Sequence, residues 1–370
     1  MKRSVPFFNY PHVFVSREGE YLHTAQDVGR RGAFILQRDL GEFERNLAAY
    51  VGVRFAVGVA NATDGLQMAF MAGGLSVGDE VVFCSHTMVA TAAAIHFAGG
   101  VPVPADIKED HLIDPLSVEE AITPRTRAIC PTQLNGRTTD MDAILVLAAR
   151  YKLDVYEDAA QALGSKFKGR CAGTFGVASC ISFYPAKILG GLGDGGAVLT
   201  NDERVYERLI LLRDHGRNHD GEVVMWGFNS RLDNLQAAFL NCQFRDYAQT
   251  VARRRALAAL YEARLATVPQ IVRPPAPTDD GDHFDVYQNY EIQAEDRDEL
   301  RSWLRERGVG TLIQWGGKPV HQFRALGFKQ HLPRTDLFFT RCLMLPMNLS
   351  LVDDDVHHVC DCILEFYRSR

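Results

Sequence analysis

Between residues 51 and 200, short apolar runs alternate with segments of helical pattern, and this alternation constrains the fold more than any other feature of the sequence. The runs predict strands at Phe55–Ala60, Glu80–Cys84, Val101–Ala105, Arg127–Cys130 and Leu153–Glu157. Strands that alternate with helices form parallel sheets with helical crossovers. We therefore predict an α/β fold with a mainly parallel central sheet.

A second unit is predicted after a proline-rich and then acidic connection over residues 268–282. Its elements are a strand and two helices, at Tyr287–Gln293, Asp296–Arg307 and Asp353–Tyr367. We expect a large domain over residues 1–250 and a smaller α+β domain over residues 251–370. The basic run Arg253–Arg255, on the helical stretch between the two, is interpreted as a solvated face.

Charge and cysteine usage exclude several classes of protein. The net charge is −6, from 46 acidic and 40 basic residues without a basic block, so a nucleic-acid partner is not expected. The eight cysteines have no CxxC spacing, which favours buried thiols in a reducing compartment. The N-terminus lacks the apolar segment of a signal peptide, and no stretch reaches membrane-spanning length. We expect a cytoplasmic protein.

Two further patterns are interpreted as decoys. His215 and His219 have a spacing compatible with a metal, but the Gly216–Asn218 segment between them breaks a helix and no third ligand is evident, so no metal site is expected. The stretch Gly191–Gly196 matches GxGxxG, yet the next residues, Ala197–Thr200, predict a strand where the dinucleotide fingerprint needs a helix. Dinucleotide binding is therefore excluded.

An acid and a lysine follow two of the predicted strands. Asp158 ends the strand that begins at Leu153, and Lys187 lies in the polar bend after the strand that begins at Ser179. Loops at the carboxyl ends of parallel strands form the ligand crevice of such sheets. Pyridoxal phosphate (PLP) needs a lysine for its imine bond and an acid that keeps its pyridine nitrogen protonated. Asp158 and Lys187 fit these two roles.

A phosphate site is indicated upstream, where residues 56–67 predict a strand, a short polar turn and a helix. A helix N-terminus offers free N–H groups and a favourable dipole, and the hydroxyls of Thr63 and Ser182 can add donors. Taken singly, Asp158 could be a helix cap, Lys187 a surface charge and Asn61–Asp64 a capping turn. Their order along the chain favours the joint interpretation.

Several segments together resemble the DegT/DnrJ/EryC1/StrS family of sugar aminotransferases, a branch of the fold-type I PLP enzymes. The matching segments are Gly41–Glu44 with Tyr50–Gly52, Gly78–Val82, Asp140–Ile144, Glu157–Gln161, Ser182–Lys187, Gly193–Gly196 and Asn229–Ala238. The resemblance implies an α/β/α sandwich with a mainly parallel sheet and a smaller C-terminal α+β domain.

The resemblance also implies roles for single residues. Lys187 would hold the cofactor as a Schiff base and act as the general base, Asp158 would pair with the pyridine nitrogen, and Gln161 would neighbour the phenolic oxygen. The phosphate would be held by Ala62, Thr63 and Ser182, and by Asn229 from the other subunit. The expected assembly is therefore a homodimer with shared sites.

Two departures from the family pattern concern the substrate side. Met88 stands where relatives usually have an aromatic ring over the cofactor, so a thioether would cover the ring face. The segment Thr311–His321 stands where relatives commonly have a histidine–aromatic–proline run. Trp226 and Trp315 are interpreted as packing residues, although their flanking glycines leave a position in the ligand crevice open.

The expected reaction is amino transfer from an amino acid, glutamate by family analogy, to a keto group of a nucleotide-linked deoxy sugar. The motifs resemble those of 3-keto enzymes more than those of 4-keto enzymes. A dehydratase of the same fold is one alternative, but there a histidine replaces the lysine, so Lys187 favours the transaminase. A regulator that binds PLP or a sugar nucleotide without turnover is the other alternative.

Overall fold

The computed structural model describes residues 3–370, in which strands and helices alternate as the apolar runs predict. The strands are β1 (Phe55–Val59), β2 (Glu80–Cys84), β3 (Val101–Ala105), β4 (Thr126–Cys130), β5 (Asp154–Asp158), β6 (Lys166–Phe167), β7 (Arg170–Cys171), β8 (Ala178–Ser182), β9 (Gly196–Thr200), β10 (Ile271–Val272), β11 (His283–Phe284), β12 (Tyr290–Ala294) and β13 (Cys342–Leu345). The helices are α1 (Tyr10–Val15), α2 (Glu18–Arg31), α3 (Arg38–Val51), α4 (Ala62–Gly73), α5 (Val89–Phe97), α6 (Pro115–Ala121), α7 (Met141–Tyr151), α8 (Glu203–Arg213), α9 (Asn234–Phe244), α10 (Tyr247–Leu265), α11 (Arg297–Glu306), α12 (Pro333–Arg341) and α13 (Asp353–Arg368).

The central sheet has seven strands in the order β3-β2-β4-β5-β8-β9-β1. All neighbours are parallel except β9, which runs antiparallel to both β8 and β1. The five strands predicted between residues 51 and 160 are present, each within one residue of the predicted bounds. The prediction of an α/β fold with a mainly parallel sheet is confirmed.

Helices cover both faces of this sheet. Ala197 and Leu199 of β9 pack in a core with α3 and α9, whereas Val198 between them packs on the opposite face with α4 and α8. Successive side chains of a strand point to opposite faces, so a strand buried on both sides is apolar throughout. The layers are therefore helix, sheet and helix.

Two glycines bring α4 close to the middle of the sheet. A Cβ at Gly65 would lie 2.7 Å from the Cys180 sulfur, and one at Gly196 would lie 2.8 Å from the backbone nitrogen of Ala62. Larger residues at either position would push α4 away from β8 and β9. The N-terminus of α4 is thereby held at the edge where the parallel strands end.

A smaller unit contains the antiparallel sheet β10-β12-β13, with α10, α11 and α13 packed around it. Val5 from the N-terminal arm belongs to the same core, and Val251 of α10 belongs to the core of the large unit. Leu257, farther along α10, packs in the small unit. We retain the domain boundary near residue 250 as a proposal, since this helix crosses from one core to the other.

Other features of residues 3–370 bear on the remaining expectations. None of the helices described is long and apolar enough to cross a bilayer. Over the same residues, no group of three or more His, Cys, Asp or Glu side chains is arranged to hold a metal ion. The eight cysteines are buried free thiols. Met1 and Lys2, on which part of the signal-peptide expectation rests, lie outside the described residues.

Candidate active site

A cavity of about 450 Å³ opens where the parallel strands of the central sheet end, and we call it the strand-end cavity. Seven of the eight residues predicted to form the site line it: Ala62, Thr63, Met88, Asp158, Gln161, Ser182 and Lys187. Asn229 does not line this cavity, and its side chain is exposed. The topology therefore brings together residues that are up to 125 positions apart in sequence, from Ala62 to Lys187.

One end of the strand-end cavity is the N-terminus of α4. The Asn61 side chain caps this helix by accepting from the backbone N–H of Asp64 at 2.9 Å. The first N–H groups of a helix have no acceptor within it, so those of Ala62 and Thr63 remain available at the cavity wall. Ser182, the last residue of β8, adds a hydroxyl at the same end. This group of donors suits an anion such as phosphate.

The acid of the site is Asp158, which ends β5 and is buried. The Thr91 hydroxyl donates to its Oδ2 at 2.6 Å, and the backbone N–H of Ala160 donates to Oδ1 at 3.2 Å. The Thr132 hydroxyl donates to Thr87, and the Thr87 and Thr91 hydroxyls are 2.8 Å apart. Since Thr91 uses its proton for Asp158, Thr87 donates to Thr91. A row of three hydroxyls thus fixes the carboxylate.

Lys187 lies in the irregular segment between β8 and β9, and its side chain reaches the strand-end cavity. Deep placement among protein atoms lowers the pKa of its amine to about 8, and the negative charge of Asp158 opposes part of this shift. Within residues 3–370, the amine has no hydrogen bond or ion pair with another side chain. A lysine with a lowered pKa is a nucleophile near neutral pH.

Gln161 presents a donor to the cavity. Its Oε1 atom accepts from the backbone N–H of Asn135 at 3.0 Å and from the Asn289 amide at 3.3 Å. These contacts orient the amide so that its NH₂ group is left for the cavity side. Such a donor suits an oxygen that carries negative charge.

A second cavity of about 500 Å³ adjoins the first, and we call it the arm cavity because the N-terminal arm forms part of its wall. Gln161, Tyr184, Lys187 and Trp315 line both cavities. The rest of its wall is mainly apolar and includes Phe7, Phe8, Leu312, Met344 and Met347. Lys187 therefore lies where the two cavities meet.

The sequence interpretation left the place of Trp315 open and missed Thr91 and Tyr184. Trp315 packs beside Phe339 and also lines both cavities, so it is a packing residue that stands in the crevice. Its backbone has φ 48°, a left-handed conformation that continues through Gly316 and Gly317. The glycine pair was the available signal for an unusual turn. Thr91 and Tyr184 carried no signal beyond their proximity to Met88 and Lys187 in sequence.

The segment around Asn229 extends outward. Trp226 is 94% exposed and Val223 is 68% exposed. The expectation that Trp226 is a packing residue is therefore wrong within this chain. Ser230, next to Asn229, is buried and donates to Asp64 in the first turn of α4 at 2.8 Å. The neighbour of Asn229 in sequence therefore contacts the first turn of α4, whereas the side chain of Asn229 itself is exposed.

Gly191–Gly196 leads directly into β9, which is antiparallel to its neighbours. The helix that a dinucleotide fingerprint requires does not follow. The local structure therefore agrees with the exclusion of that motif. Asp194 and Gly195 from this stretch line the strand-end cavity instead.

Comparison with known proteins places this arrangement in a family. A dTDP-3-amino-3,4,6-trideoxy-alpha-D-glucose transaminase from Streptomyces venezuelae is 40% identical over 98% of this chain and 96% of its own. A protein of Geobacillus stearothermophilus named pleiotropic regulatory protein is 37% identical over 99% of each chain.

Solved structures give the same result. The crystal structure of S. venezuelae DesV is 40% identical, with a TM-score of 0.94 over 98% of each chain. That of NtdA from Bacillus subtilis, which contains the cofactor PMP, is 30% identical, with a TM-score of 0.87 over 97% of this chain and 85% of its own. Residues 16–364 match the DegT/DnrJ/EryC1/StrS aminotransferase family as a whole. The chain therefore belongs to the DegT/DnrJ/EryC1/StrS family of aminotransferases.

Proposed function

We propose that this chain is a PLP-dependent aminotransferase that transfers the amino group of an amino acid, glutamate, to a keto group of a nucleotide-linked deoxy sugar. The observation that carries the proposal is that Lys187, Asp158 and the N-terminus of α4 line one cavity. A lysine, an acid and a phosphate cradle are the three elements that PLP requires of a protein.

The residues of the strand-end cavity fit the cofactor. The free N–H groups of Ala62 and Thr63 and the Ser182 hydroxyl would hold its phosphate. Asp158, fixed by Thr91, would hold the pyridine nitrogen, and the donor amide of Gln161 would face the phenolic oxygen. Met88 would cover the ring face; its side chain is 48% exposed and lines the cavity.

When bound, PLP supplies an electron sink that makes the carbon next to the amino group acidic. Asp158 would keep a proton on the ring nitrogen, because a buried carboxylate favours a positive charge beside it. Lys187 would act as the base that takes the proton from the substrate carbon, and the lowered pKa of its amine permits this near neutral pH. Trp315 and Tyr184, which line both cavities, would contact the substrate.

Borohydride reduction of the purified protein tests the cofactor assignment. We expect PLP to be trapped covalently on the peptide that contains Lys187. Finding it on another lysine would overturn the assignment. The control is Lys187→Ala, in which reduction should leave the peptide unmodified.

The arm cavity supports a deoxy sugar as the amino acceptor. The apolar part of its wall, with Phe8, Leu312 and Met344, suits the carbons of a ring that lack hydroxyls. The 3-keto position is proposed from the motif resemblance and from the name of the S. venezuelae relative.

A substrate panel tests this part of the proposal. The pyridoxamine form of the enzyme should be consumed faster by 3-keto than by 4-keto sugar nucleotides, and glutamate should regenerate it faster than other amino acids. Preference for a 4-keto sugar or for a uronate would refute the substrate assignment and leave the cofactor assignment intact.

We further propose a homodimer in which Asn229 completes the phosphate site of the partner subunit. Asn229 is exposed and absent from the cavity of its own chain, and the nearby Trp226, Val223 and Val224 form an exposed apolar patch. Such a patch is typical of an interface. An isologous pair would bury both copies of the patch.

Mixing two inactive variants tests the shared site. Lys187→Ala and Asn229→Ala chains should recover activity after subunit exchange, because one site of the mixed dimer then carries both intact residues. No recovery despite demonstrated exchange would refute sharing.

The regulatory alternative is kept because one relative is named as a regulatory protein. A regulator would bind the cofactor or sugar nucleotide without changing its spectrum on addition of glutamate. Conversion of the enzyme's absorbance by glutamate and its return with a keto sugar would exclude this alternative.

A cytoplasmic location is proposed on the eight free thiols, which persist in a reducing compartment.

A further inference from the structure

Lys187 is not held by a strand or helix. Residues 183–190 form turns between β8 and β9, and the lysine's own backbone N–H donates to Tyr184 O at 2.8 Å. A cavity of about 90 Å³ lies against the same segment and is lined by Pro185, Lys187 and Ile188. Because this side of the segment is incompletely packed, packing alone does not fix the lysine.

Gln288 holds the backbone on both sides of Lys187. Its Oε1 atom accepts from the N–H of Ile188 at 2.9 Å, and its Nε2 atom donates to the carbonyl of Ala186 at 2.9 Å. One buried amide thus replaces the two ladder bonds that a neighbouring strand would supply. The contact comes from a residue 101 positions later in the chain, from Lys187 to Gln288.

Gln288 is itself fixed by Arg254. The Arg254 guanidinium donates to the carbonyls of Tyr287 at 2.7 Å and Gln288 at 2.6 Å, and also to Met347 at 2.9 Å. Arg254 is only 4% exposed, so the expectation that Arg253–Arg255 is a solvated face is wrong for this residue. A buried cation with three carbonyl acceptors is a structural clamp, because its charge is satisfied by backbone oxygens.

We propose that Gln288 is a positioning residue for Lys187, which sets where the amine stands and how far it is from water. The inference rests on the proposed function of Lys187. Without the two hydrogen bonds from Gln288, the segment that carries Lys187 would be free to shift into the cavity of about 90 Å³ beside it. Small displacements of a reacting group have large effects on rate.

Gln288→Met is the test variant, because methionine has a similar volume and makes neither hydrogen bond. Gln236→Met is the matched control, since the Gln236 amide accepts from the backbone of Leu192 at 2.9 Å in the same connection but five residues after Lys187. Two quantities are measured well below the melting temperature. One is the pH midpoint of Lys187 acetylation in the apoprotein, and the other is the rate of covalent PLP uptake.

In Gln288→Met we expect the acetylation midpoint to rise by more than half a pH unit, because the amine becomes more hydrated, and PLP uptake to slow at least fivefold. Gln236→Met should change neither. Gln288→Asn, too short to span both contacts, should act in the same direction if the methionine variant fails to fold. A general loss of stability would lower the melting temperature without moving the midpoint.

Unchanged midpoint and uptake in both Gln288 variants, or equal changes in Gln236→Met, would overturn the inference. Trapping of PLP on a different lysine would instead refute the proposed function. The two failures are distinguishable because the acetylation midpoint is measured without the cofactor.

Discussion

The strand-end cavity and the arm cavity adjoin, yet they are built from different kinds of structure. In the first, Asp158 and Ser182 are the last residues of strands and Ala62 is the first residue of a helix. In the second, Phe7 and Phe8 lie in a non-helical arm, and Trp315 lies in a turn with a left-handed backbone. Hydrogen bonds of strands and of a helix position Asp158, Ser182 and Ala62, whereas loop contacts position Phe7, Phe8 and Trp315, as they do Lys187 itself.

This difference separates two tasks. Groups at the ends of sheet strands keep their relative positions because each strand is bonded to its neighbours. Loops accept substitution and insertion with little effect on the core. We infer that the strand-end cavity carries the chemistry and that the arm cavity sets which sugar is accepted. Substitutions in the two cavities should then have different kinetic signatures.

The largest effect is expected for Asp158→Asn in the strand-end cavity. An amide cannot hold a positive charge on the ring nitrogen, so kcat should fall on the order of 10³-fold for every amino acceptor. Asp154→Asn, at the other end of the same strand, removes a surface ion pair with Arg127 and should leave kcat within about twofold. Steady-state kinetics of both variants checks this. Near-normal turnover in folded Asp158→Asn would show that another acid serves the ring.

The pH dependence of cofactor uptake is a second test of the strand-end cavity, through Lys187. With a Lys187 pKa of about 8, the reactive unprotonated fraction rises about tenfold between pH 7 and pH 9 and then levels off. A lysine of ordinary pKa would keep rising beyond pH 9. The rate of PLP uptake by the apoprotein should therefore reach a plateau above pH 9. The reaction of PLP with free lysine, measured over the same pH range, corrects for the ionisation of the cofactor itself. A continued rise would contradict the depressed pKa.

A smaller and more selective effect is expected for Trp315→Ala in the arm cavity. Loss of the ring should raise KM for the sugar nucleotide roughly fivefold with little change in KM for glutamate. Alanine and tryptophan are equally strained in the left-handed backbone at φ 48°. The difference between the two variants in KM therefore reports on the tryptophan ring alone. Trp315→Phe, which retains an aromatic face, is the matched control. Equal changes in both KM values would break the proposed division between the cavities.

The smallest effect is expected for Asn289→Ala, in the wall of the arm cavity beside Gln161. This removes one of two hydrogen bonds that orient Gln161, while the Asn135 backbone N–H remains, so kcat should fall about threefold. The cofactor absorbance should shift as well, since Gln161 would face the phenolic oxygen. A change confined to the KM for the sugar nucleotide would show that Asn289 does not act through Gln161.

Sequence reasoning predicted the strand-end cavity because its residues obey local rules. Asp158 follows an apolar strand, and Thr63 lies at the start of a helix, so topology alone brings them together. Gln288 could not be found in this way, and for Trp315 the flanking glycines indicated only that a crevice position was open. Their contacts depend on how the small unit packs on the large one, and no local period or spacing records that packing. Arg254 shows the same limit, because its burial depends on carbonyls more than 30 residues away along the chain.

Helix α10, which contributes to two hydrophobic cores, limits how such a chain can be recombined with a relative. A crossover inside the helix would combine Val251 from one parent with Leu257 from another. Residues of different parents would then pack against each other in the hydrophobic cores that this helix joins. A crossover before Tyr247 or after Leu265 keeps the helix as one inherited piece. A crossover before Tyr247 also transfers Arg254, Gln288 and Met347 together, so the hydrogen bonds that hold Gln288 would be inherited as one set.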